Sequence, residues 1–247
     1  MDPLHQFQIN PILQIVIAGY DVSFSNSSLF MAVAAGLIYA LLVQGMKRRA
    51  LVPGRLQSMA EMFYEFVANL VRDNAGHDAR PYFPFVFAIF MFVLFGNLIG
   101  MIPYTFTFTS HIIVTFTLAF AVFVFVTILA LVKHGMHFFT FFMPHGVPMF
   151  LAPILIPIEV ISYLMRPVSL SIRLFANMMA GHTMLKVFAG FTVLMGSALG
   201  ALGFAVGLVP LALNVALTGF EFLVAFLQAY VFSILTCLYI RDALELH

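Results

Sequence analysis

Polar residues recur at spacings of three or four through an otherwise apolar stretch between positions 159 and 177. On an ideal helix these spacings keep all of them within an arc of about 80°, as one polar stripe roughly 27 Å long. If the helix crosses a bilayer, each ionised group on the stripe costs from about 2.5 to above 10 kcal/mol without a partner or water, so such groups are candidates for function. The stripe consists of Glu159, Ser162, Arg166, Ser169, Arg173 and Asn177.

A second polar stripe lies in the last apolar stretch, and its spacings of 4, 3 and 7 again keep the side chains within roughly 80°. Its members are Asn214, Thr218, Glu221 and Gln228. Two helices that each carry one polar face can place those faces opposite each other. The two stripes therefore predict a polar path between the two segments.

The residue types on this path favour the movement of protons. Arg173 cannot lose its proton in a protein, so it is a fixed positive charge that attracts a carboxylate but passes no protons itself. Glu221 and His182 can both gain and lose a proton, which suits a relay or an entry path. Lys186, one turn beyond His182, is expected to extend to the membrane interface.

Two structural alternatives remain open at this stage. Arg173 and Glu221 could form a buried ion pair that only holds helices together. His182 lies about 180° around an ideal helix from Arg173, so it faces elsewhere unless the helix bends, and it could simply bond a backbone carbonyl.

The composition excludes several classes of protein. Hydrophobic residues make up 63% of the 247 residues and charged residues only 9%, whereas soluble domains contain about 25% charged residues. A net charge of +1 with scattered basic residues argues against nucleic acid as a partner. Cys237 is the single cysteine, and His134 and His137 lie in a predicted loop without a carboxylate. These residues do not form a metal site, and no phosphate-binding loop is present. We therefore expect neither a metal nor a cofactor.

Hydropathy predicts an all-α membrane protein that forms one polytopic membrane domain over residues 1–247. Transmembrane helices are predicted at 29–46, at 83–102 and 111–133 as a hairpin, and at 150–187 and 208–241, with an amphipathic surface helix at 55–73. The surface helix could instead pack on protein as a linker. The last two helices exceed the hydrocarbon thickness of about 30 Å, so they must tilt strongly or bend, for example at Pro157 and Pro167.

Two further features concern topology. Lys47, Arg48 and Arg49 form a basic flank after the first span, which places the N-terminus outside. The glycine-rich stretch 188–209 is long enough to be another span, and hydropathy leaves that open.

Residues 167–182, PVSLSIRLFANMMAGH, closely resemble the signature of subunit a of F-type ATP synthases. The similarity extends to DPLHQF at 2–7, to FGNLIGMIP at 95–103, and to Glu221 and Gln228, so it covers essentially the whole chain. The pairing of His182 with Glu221 is similar to the alphaproteobacterial and mitochondrial arrangement. The resemblance also implies five spans plus a surface helix, with 188–209 as the turn region between two tilted helices.

The resemblance implies a role for each polar residue. Arg173 matches the stator arginine that faces the proton-carrying carboxylate on each subunit of the rotating c-ring. The outer half-channel is expected to contain Asn177, His182, Asn214, Glu221 and Gln228, and the inner half-channel Glu159, Ser162 and Ser169. A ring carboxylate is neutral in lipid and ionised opposite Arg173, so protons must leave and load on opposite sides of it.

The implied partners are the c-ring, subunit b of the peripheral stalk, other ATP synthase subunits and the lipid bilayer. The chain is then a non-catalytic proton channel subunit of the bacterial inner membrane, with a periplasmic N-terminus and a cytoplasmic C-terminus, or of the mitochondrial inner membrane. A proton-coupled carrier is the alternative, although no paired repeats are evident. A purely structural subunit of another membrane complex is a third possibility.

Overall fold

The computed structural model describes residues 7–14, 16–17, 20–21, 23–47, 50, 52–102, 105–136, 138, 152–198 and 200–245. Arg48 and Arg49 of the predicted basic flank, residues 2–6 and 103 of the resembling segments, His137, and the first two residues of the predicted span 150–187 lie outside the described residues.

Six α-helices account for most of the described chain, and five of them are long and apolar enough to cross a membrane. Their bounds are α1 Asn26–Lys47, α2 Arg55–Ala75, α3 Phe83–Gly100, α4 Ile112–His134, α5 Ala152–Ala198 and α6 Gly200–Leu244. Short 3-10 helices occupy His77–Tyr82 and Phe108–Ser110. The predicted all-α membrane fold with five spans and one additional helix is confirmed.

Short β-strands precede α1, which the sequence analysis did not predict. β1 (Pro11–Leu13) pairs antiparallel with β4 (Phe24–Ser25), and β2 (Val16–Ile17) pairs antiparallel with β3 (Tyr20–Asp21). The Val and Ile residues of this stretch favour extended backbone. Asn26 joins the strands to α1, because its Nδ2 donates to the Gln8 carbonyl at 3.1 Å and its Oδ1 accepts from the backbone N–H of Ser27 at 2.9 Å.

Helix α2 packs one apolar face on protein. The rings of Phe63 and Phe66 lie 6.4 and 5.5 Å from the ring of Phe90 in α3, and Val67 and Leu70 are buried. This contact favours the alternative in which the amphipathic helix packs on its own chain. Its outer face keeps large apolar side chains exposed, which suits a helix at a surface; they are Leu56, Met59, Met62 and Tyr64.

Helices α5 and α6 contain 47 and 45 residues, so both are longer than predicted. α5 continues to Ala198 and α6 begins at Gly200, so the described residues of the stretch 188–209 are helical. Glycine costs about 1 kcal/mol in a helix interior in water. In apolar surroundings the backbone has no other hydrogen-bond partners, so the glycine-rich segment remains helical. Pro157 and Pro167 lie inside α5.

The chain divides into two compact units. Unit 1 comprises residues Met1–Ala40, Phe92–His111 and Leu174–Ala229, and unit 2 comprises Leu41–Met91, Ile112–Arg173 and Tyr230–His247. The division within α5 falls directly after Arg173. The fully buried side chains of unit 1 include Phe108 and Met178, and those of unit 2 include Phe90 and Val122.

The ends of α4 and α6 are joined within unit 2. Lys133 Nζ donates to the Leu244 carbonyl at 3.1 Å, and His134 Nε2 lies 3.0 Å from the Ala243 carbonyl oxygen. The last carbonyls of a helix have no partner within it, so these contacts complete the end of α6. The expectation that His134 lies in a loop is wrong, because it is the last residue of α4.

Candidate functional site

A histidine and a glutamate lie side by side in the interior of unit 1. His182 Nδ1 in α5 is 3.7 Å from Glu221 Oε1 in α6, and the two residues are only 9% and 4% exposed. His182 Nε2 shares a hydrogen bond of 3.1 Å with Thr107 Oγ1. Its described partners are therefore side chains, and the alternative in which His182 only bonds a backbone carbonyl is wrong.

Two glycines allow this close packing. A Cβ at Gly181 would lie 2.5 Å from Glu221 Oε1, and a Cβ at Gly100 would lie 2.5 Å from Thr107 Oγ1. Thr107 Oγ1 also lies 3.3 Å from the Gly100 carbonyl oxygen, which anchors the threonine to the end of α3. A larger residue at Gly181 would displace the carboxyl of Glu221, which lies beside His182. A larger residue at Gly100 would displace the hydroxyl of Thr107, which bonds His182.

The second stripe continues along α6 on both sides of Glu221. Gln228 is buried, and Asn214 and Thr218 are half-buried. Asn97 of α3 is fully buried, and its Nδ2 donates to the Ala225 carbonyl at 3.1 Å, one turn after Glu221. On α5, Asn177 is half-buried in the same unit. Unit 1 therefore holds all five residues predicted for the outer half-channel: Asn177, His182, Asn214, Glu221 and Gln228.

Several buried oxygens of this cluster accept no hydrogen bond from any described residue. They are both carboxyl oxygens of Glu221 and the side-chain oxygens of Asn97 and Asn214. Buried polar atoms are nearly always satisfied by protein or by water, and water bridges connect such groups effectively. The cluster can therefore hold a proton on the imidazole or the carboxyl and exchange it through water.

Arg173 has a different environment in unit 2. Its side chain is exposed, and it makes no ion pair with any described residue of that unit. The residue before it, Ile172, is 48% exposed, whereas Ser171 is buried and its Oγ lies 3.1 Å from Thr115 Oγ1. This part of α5 therefore packs one face on α4 and leaves the guanidinium on an uncovered apolar surface.

The residues predicted for the inner half-channel share unit 2 with Arg173. Ser162 and Ser169 are exposed and Glu159 is half-buried. Ser169 Oγ donates to the Arg166 carbonyl at 3.1 Å. The inner set is thus more open to the surroundings than the outer set, where Glu221, His182 and Gln228 are buried.

Among the described residues of unit 2, Arg166 is the ionised member of the first stripe for which the structure shows a close ion-pair partner. Its Nη1 lies 3.1 Å from Asp242 Oδ2, and the guanidinium carbon lies 5.2 and 5.1 Å from the ring centroids of Tyr163 and Tyr239. Sequence analysis found no partner for Arg166, because Asp242 is 76 positions away and follows Arg241 at the end of an apolar run.

Thr107 and Asn97 are the other contributors that sequence analysis did not assign to a site. Asn97 carried a usable signal, since it is a polar residue inside an apolar span. Thr107 carried little, because it is one of several threonines in an uncharged connection between spans.

Comparisons with known proteins show which family the chain is similar to. A family model described as ATP synthase A chain matches residues 28–241. A protein of Parvibaculum lavamentivorans described as ATP synthase subunit a is 57% identical over 245 residues, covering 99% of this chain and 94% of that protein. Proteins with the same description from Rhodospirillum rubrum (55% identical, 99% of both chains) and Rhizobium leguminosarum bv. trifolii (56% identical, 99% of this chain and 97% of that protein) are also similar.

Proposed function

Because the chain belongs to the ATP synthase A chain family, we propose that it is the stator through which protons cross the membrane beside a rotating ring of c subunits. Family membership makes it a non-catalytic, multi-pass membrane subunit of an ATP synthase. The observation that carries the finer proposal is the exposed Arg173 on a helix long and apolar enough to span the bilayer.

An exposed guanidinium at membrane depth needs a partner outside the chain. Arg173 stays ionised, and its exposure to lipid would cost several kcal/mol. A carboxylate on an adjacent helix compensates the charge, and Arg173 in turn favours the ionised form of that acid. Away from Arg173, in lipid, the same acid is neutral. We therefore assign Arg173 the role of releasing the proton from each passing c-ring carboxyl.

Unit 1 supplies the outer half-channel in this proposal. His182 and Glu221 exchange protons with water, and Asn177, Asn214 and Gln228 line the route. Glu159, Ser162 and Ser169 line the inner half-channel. Because the half-channels are offset on either side of Arg173, a proton completes its passage only when the ring turns. Each charge moved is worth about 2.3 kcal/mol per 100 mV, which drives ATP synthesis in the rest of the complex. The mechanism needs no metal or cofactor.

The proposed location is the bacterial inner membrane, with the N-terminus in the periplasm and the C-terminus in the cytoplasm. The similar proteins named above come from bacteria, which supports this location over the mitochondrial inner membrane. Besides the c-ring, subunit b of the peripheral stalk is the expected neighbour, since a stator must be held against rotation.

Replacement of Arg173 tests the proposal. In ATP synthase reconstituted into proteoliposomes, Arg173→Ala is expected to abolish ATP-driven proton pumping without loss of assembled complex. Arg72→Ala is the matched control, because Arg72 is also an exposed arginine, in α2, with a 63% exposed side chain whose described ion pair is with the adjacent Asp73. Preserved pumping in Arg173→Ala would contradict the stator role. Proton uptake that depended on an added solute would favour a carrier.

A further inference from the structure

Helix α5 carries two arginines on one stripe, and their electrostatic states differ. Arg166 and Arg173 are seven residues apart, so they lie about 10 Å apart along the axis and within about 20° of each other around it. Arg166 is paired with Asp242 at 3.1 Å, and its side chain is 23% exposed. Arg173 is exposed and has no ion-pair partner among the described residues of unit 2.

Asp242 is held in place by its surroundings. Hydrogen bonds from Lys133 and His134 to the carbonyls of Leu244 and Ala243 fix the end of α6 on the end of α4. The neighbouring charges are committed elsewhere, because Arg241 Nε lies 3.2 Å from Glu245 Oε2. Asp242 is thus the acid that neutralises Arg166.

The two tyrosines complete the enclosure of Arg166. The rings of Tyr163 and Tyr239 lie 5.2 and 5.1 Å from the guanidinium carbon, and Tyr163 Oη shares a hydrogen bond of 2.7 Å with Thr127 Oγ1. The adjoining cavity measures about 10 Å³, room for a single water. The geometry therefore fixes Arg166 to Asp242 and gives it little freedom to turn outward.

We propose that Asp242 is a specificity-determining residue for proton transfer: it neutralises Arg166, so that Arg173 alone holds the passing carboxyl of the c-ring. This inference rests on the function proposed above. An acid that moves along this face meets two cations about 10 Å apart, and each would attract it strongly in a low-dielectric setting. With Arg166 neutralised by Asp242, Arg173 is the single cation on this face that binds the ring carboxylate. Without Asp242, the ring carboxyl would also bind at Arg166. Rotation of the ring would then be slower, but the passive leak of protons through the subunit would not increase.

The test compares four variants in reconstituted ATP synthase: Asp242→Asn, Arg166→Gln, their combination, and Glu245→Gln. Asp242→Asn is expected to lower the rate of ATP-driven pumping about tenfold, which corresponds to a barrier higher by ~1.4 kcal/mol. Protons pumped per ATP, passive proton leak and the amount of assembled complex should not change. Arg166→Gln should stay near the wild-type rate, because it removes the second cation from the face and leaves the carboxylate of Asp242 46% exposed, not buried without a partner.

The combined variant, which lacks both charges, should return to within about twofold of the wild-type rate. Glu245→Gln is the control, since Glu245 pairs only with Arg241 and is 50% exposed. If Asp242→Asn assembles poorly, the combined variant is the test of the inference. Normal assembly and normal pumping by the combined variant support it, whereas poor assembly and slow pumping by the combined variant overturn it.

Three results would overturn the inference: wild-type pumping by Asp242→Asn, a combined variant as slow as Asp242→Asn, or a proton leak in Asp242→Asn that points to a packing role. Arg173→Ala separates this from failure of the stator role. If Arg173→Ala abolishes pumping while Asp242→Asn is normal, only the role of Asp242 is wrong. If Arg173→Ala pumps normally, the stator role itself is wrong.

Discussion

The two units treat their ionisable groups in opposite ways. Unit 1 encloses His182 and Glu221, which are 9% and 4% exposed, and Thr107 shares a hydrogen bond with His182. Unit 2 leaves Arg173 uncovered on an apolar face. In the proposed mechanism, the groups that exchange protons are thus enclosed by their own chain, whereas the group that acts on the c-ring is left for that partner to cover.

The difference follows from the chemistry of each group. A carboxyl or an imidazole can become neutral, so its burial inside protein is tolerable and a polar neighbour or water suffices. A guanidinium stays ionised, so it needs a permanent counter-charge or a mobile one. Arg166 has the permanent kind in Asp242. In the proposed mechanism, Arg173 has the mobile kind in the c-ring carboxyl.

The largest effect within unit 1 is expected from Glu221→Gln. The amide keeps the size of the side chain but cannot carry the proton, and loss of a positioned proton-transfer group costs about a hundredfold in rate. Proton conduction in proteoliposomes should fall accordingly, with assembly intact. Glu65→Gln is the control, because Glu65 is exposed in α2. An unchanged conduction rate would remove Glu221 from the path.

Gly181→Ala should have a smaller but clear effect. The added Cβ would lie 2.5 Å from Glu221 Oε1 and 2.8 Å from its Cδ, so the carboxyl must move away from His182. We expect pumping to slow about tenfold, a barrier change of ~1.4 kcal/mol. Gly190→Ala in the same helix is the matched control, since nothing lies within 4 Å of a Cβ there. Equal rates in both variants would show that the position of the carboxyl does not matter.

Thr107→Val should give the smallest change. It keeps the shape of the side chain and removes the hydroxyl that bonds His182, a loss of about 1 kcal/mol and hence roughly fivefold in rate. The control is Thr117→Val, because Thr117 is exposed and its hydroxyl bonds only the Ile113 carbonyl. Wild-type pumping in Thr107→Val would mean that His182 needs no orienting partner.

Helical periodicity explains why part of this arrangement was predictable. It placed Arg173 and His182 on opposite sides of an ideal helix. In the structure, Arg173 is exposed and His182 is buried. Local apolar composition located the spanning segments but left 188–209 open as another span, and the number of five spans came from the family resemblance. Periodicity and apolar composition are both properties of neighbouring residues, which a single sequence records directly.

The contacts that were not predicted connect distant positions. Thr107 and His182 are 75 positions apart, and Arg166 and Asp242 are 76 positions apart, so no local spacing reveals either pair. The lengths of α5 and α6 were underestimated for another reason. The resemblance implied that 188–209 is the turn region between two tilted helices, whereas in apolar surroundings the helix is the conformation that satisfies the backbone.

Cross-linking at the face of Arg173 tests most directly whether a carboxyl-bearing helix of the c-ring covers it. Cys237, the single native cysteine, is first replaced by serine. Ile172→Cys, at a position 48% exposed, should then form a disulfide in native membranes with a cysteine placed beside the c-ring carboxyl, and Leu170→Cys, at a position 2% exposed, should not. A cysteine at 172 that forms no such disulfide and reacts instead with a lipid-phase reagent would show that this face meets lipid, and would contradict the stator role of Arg173.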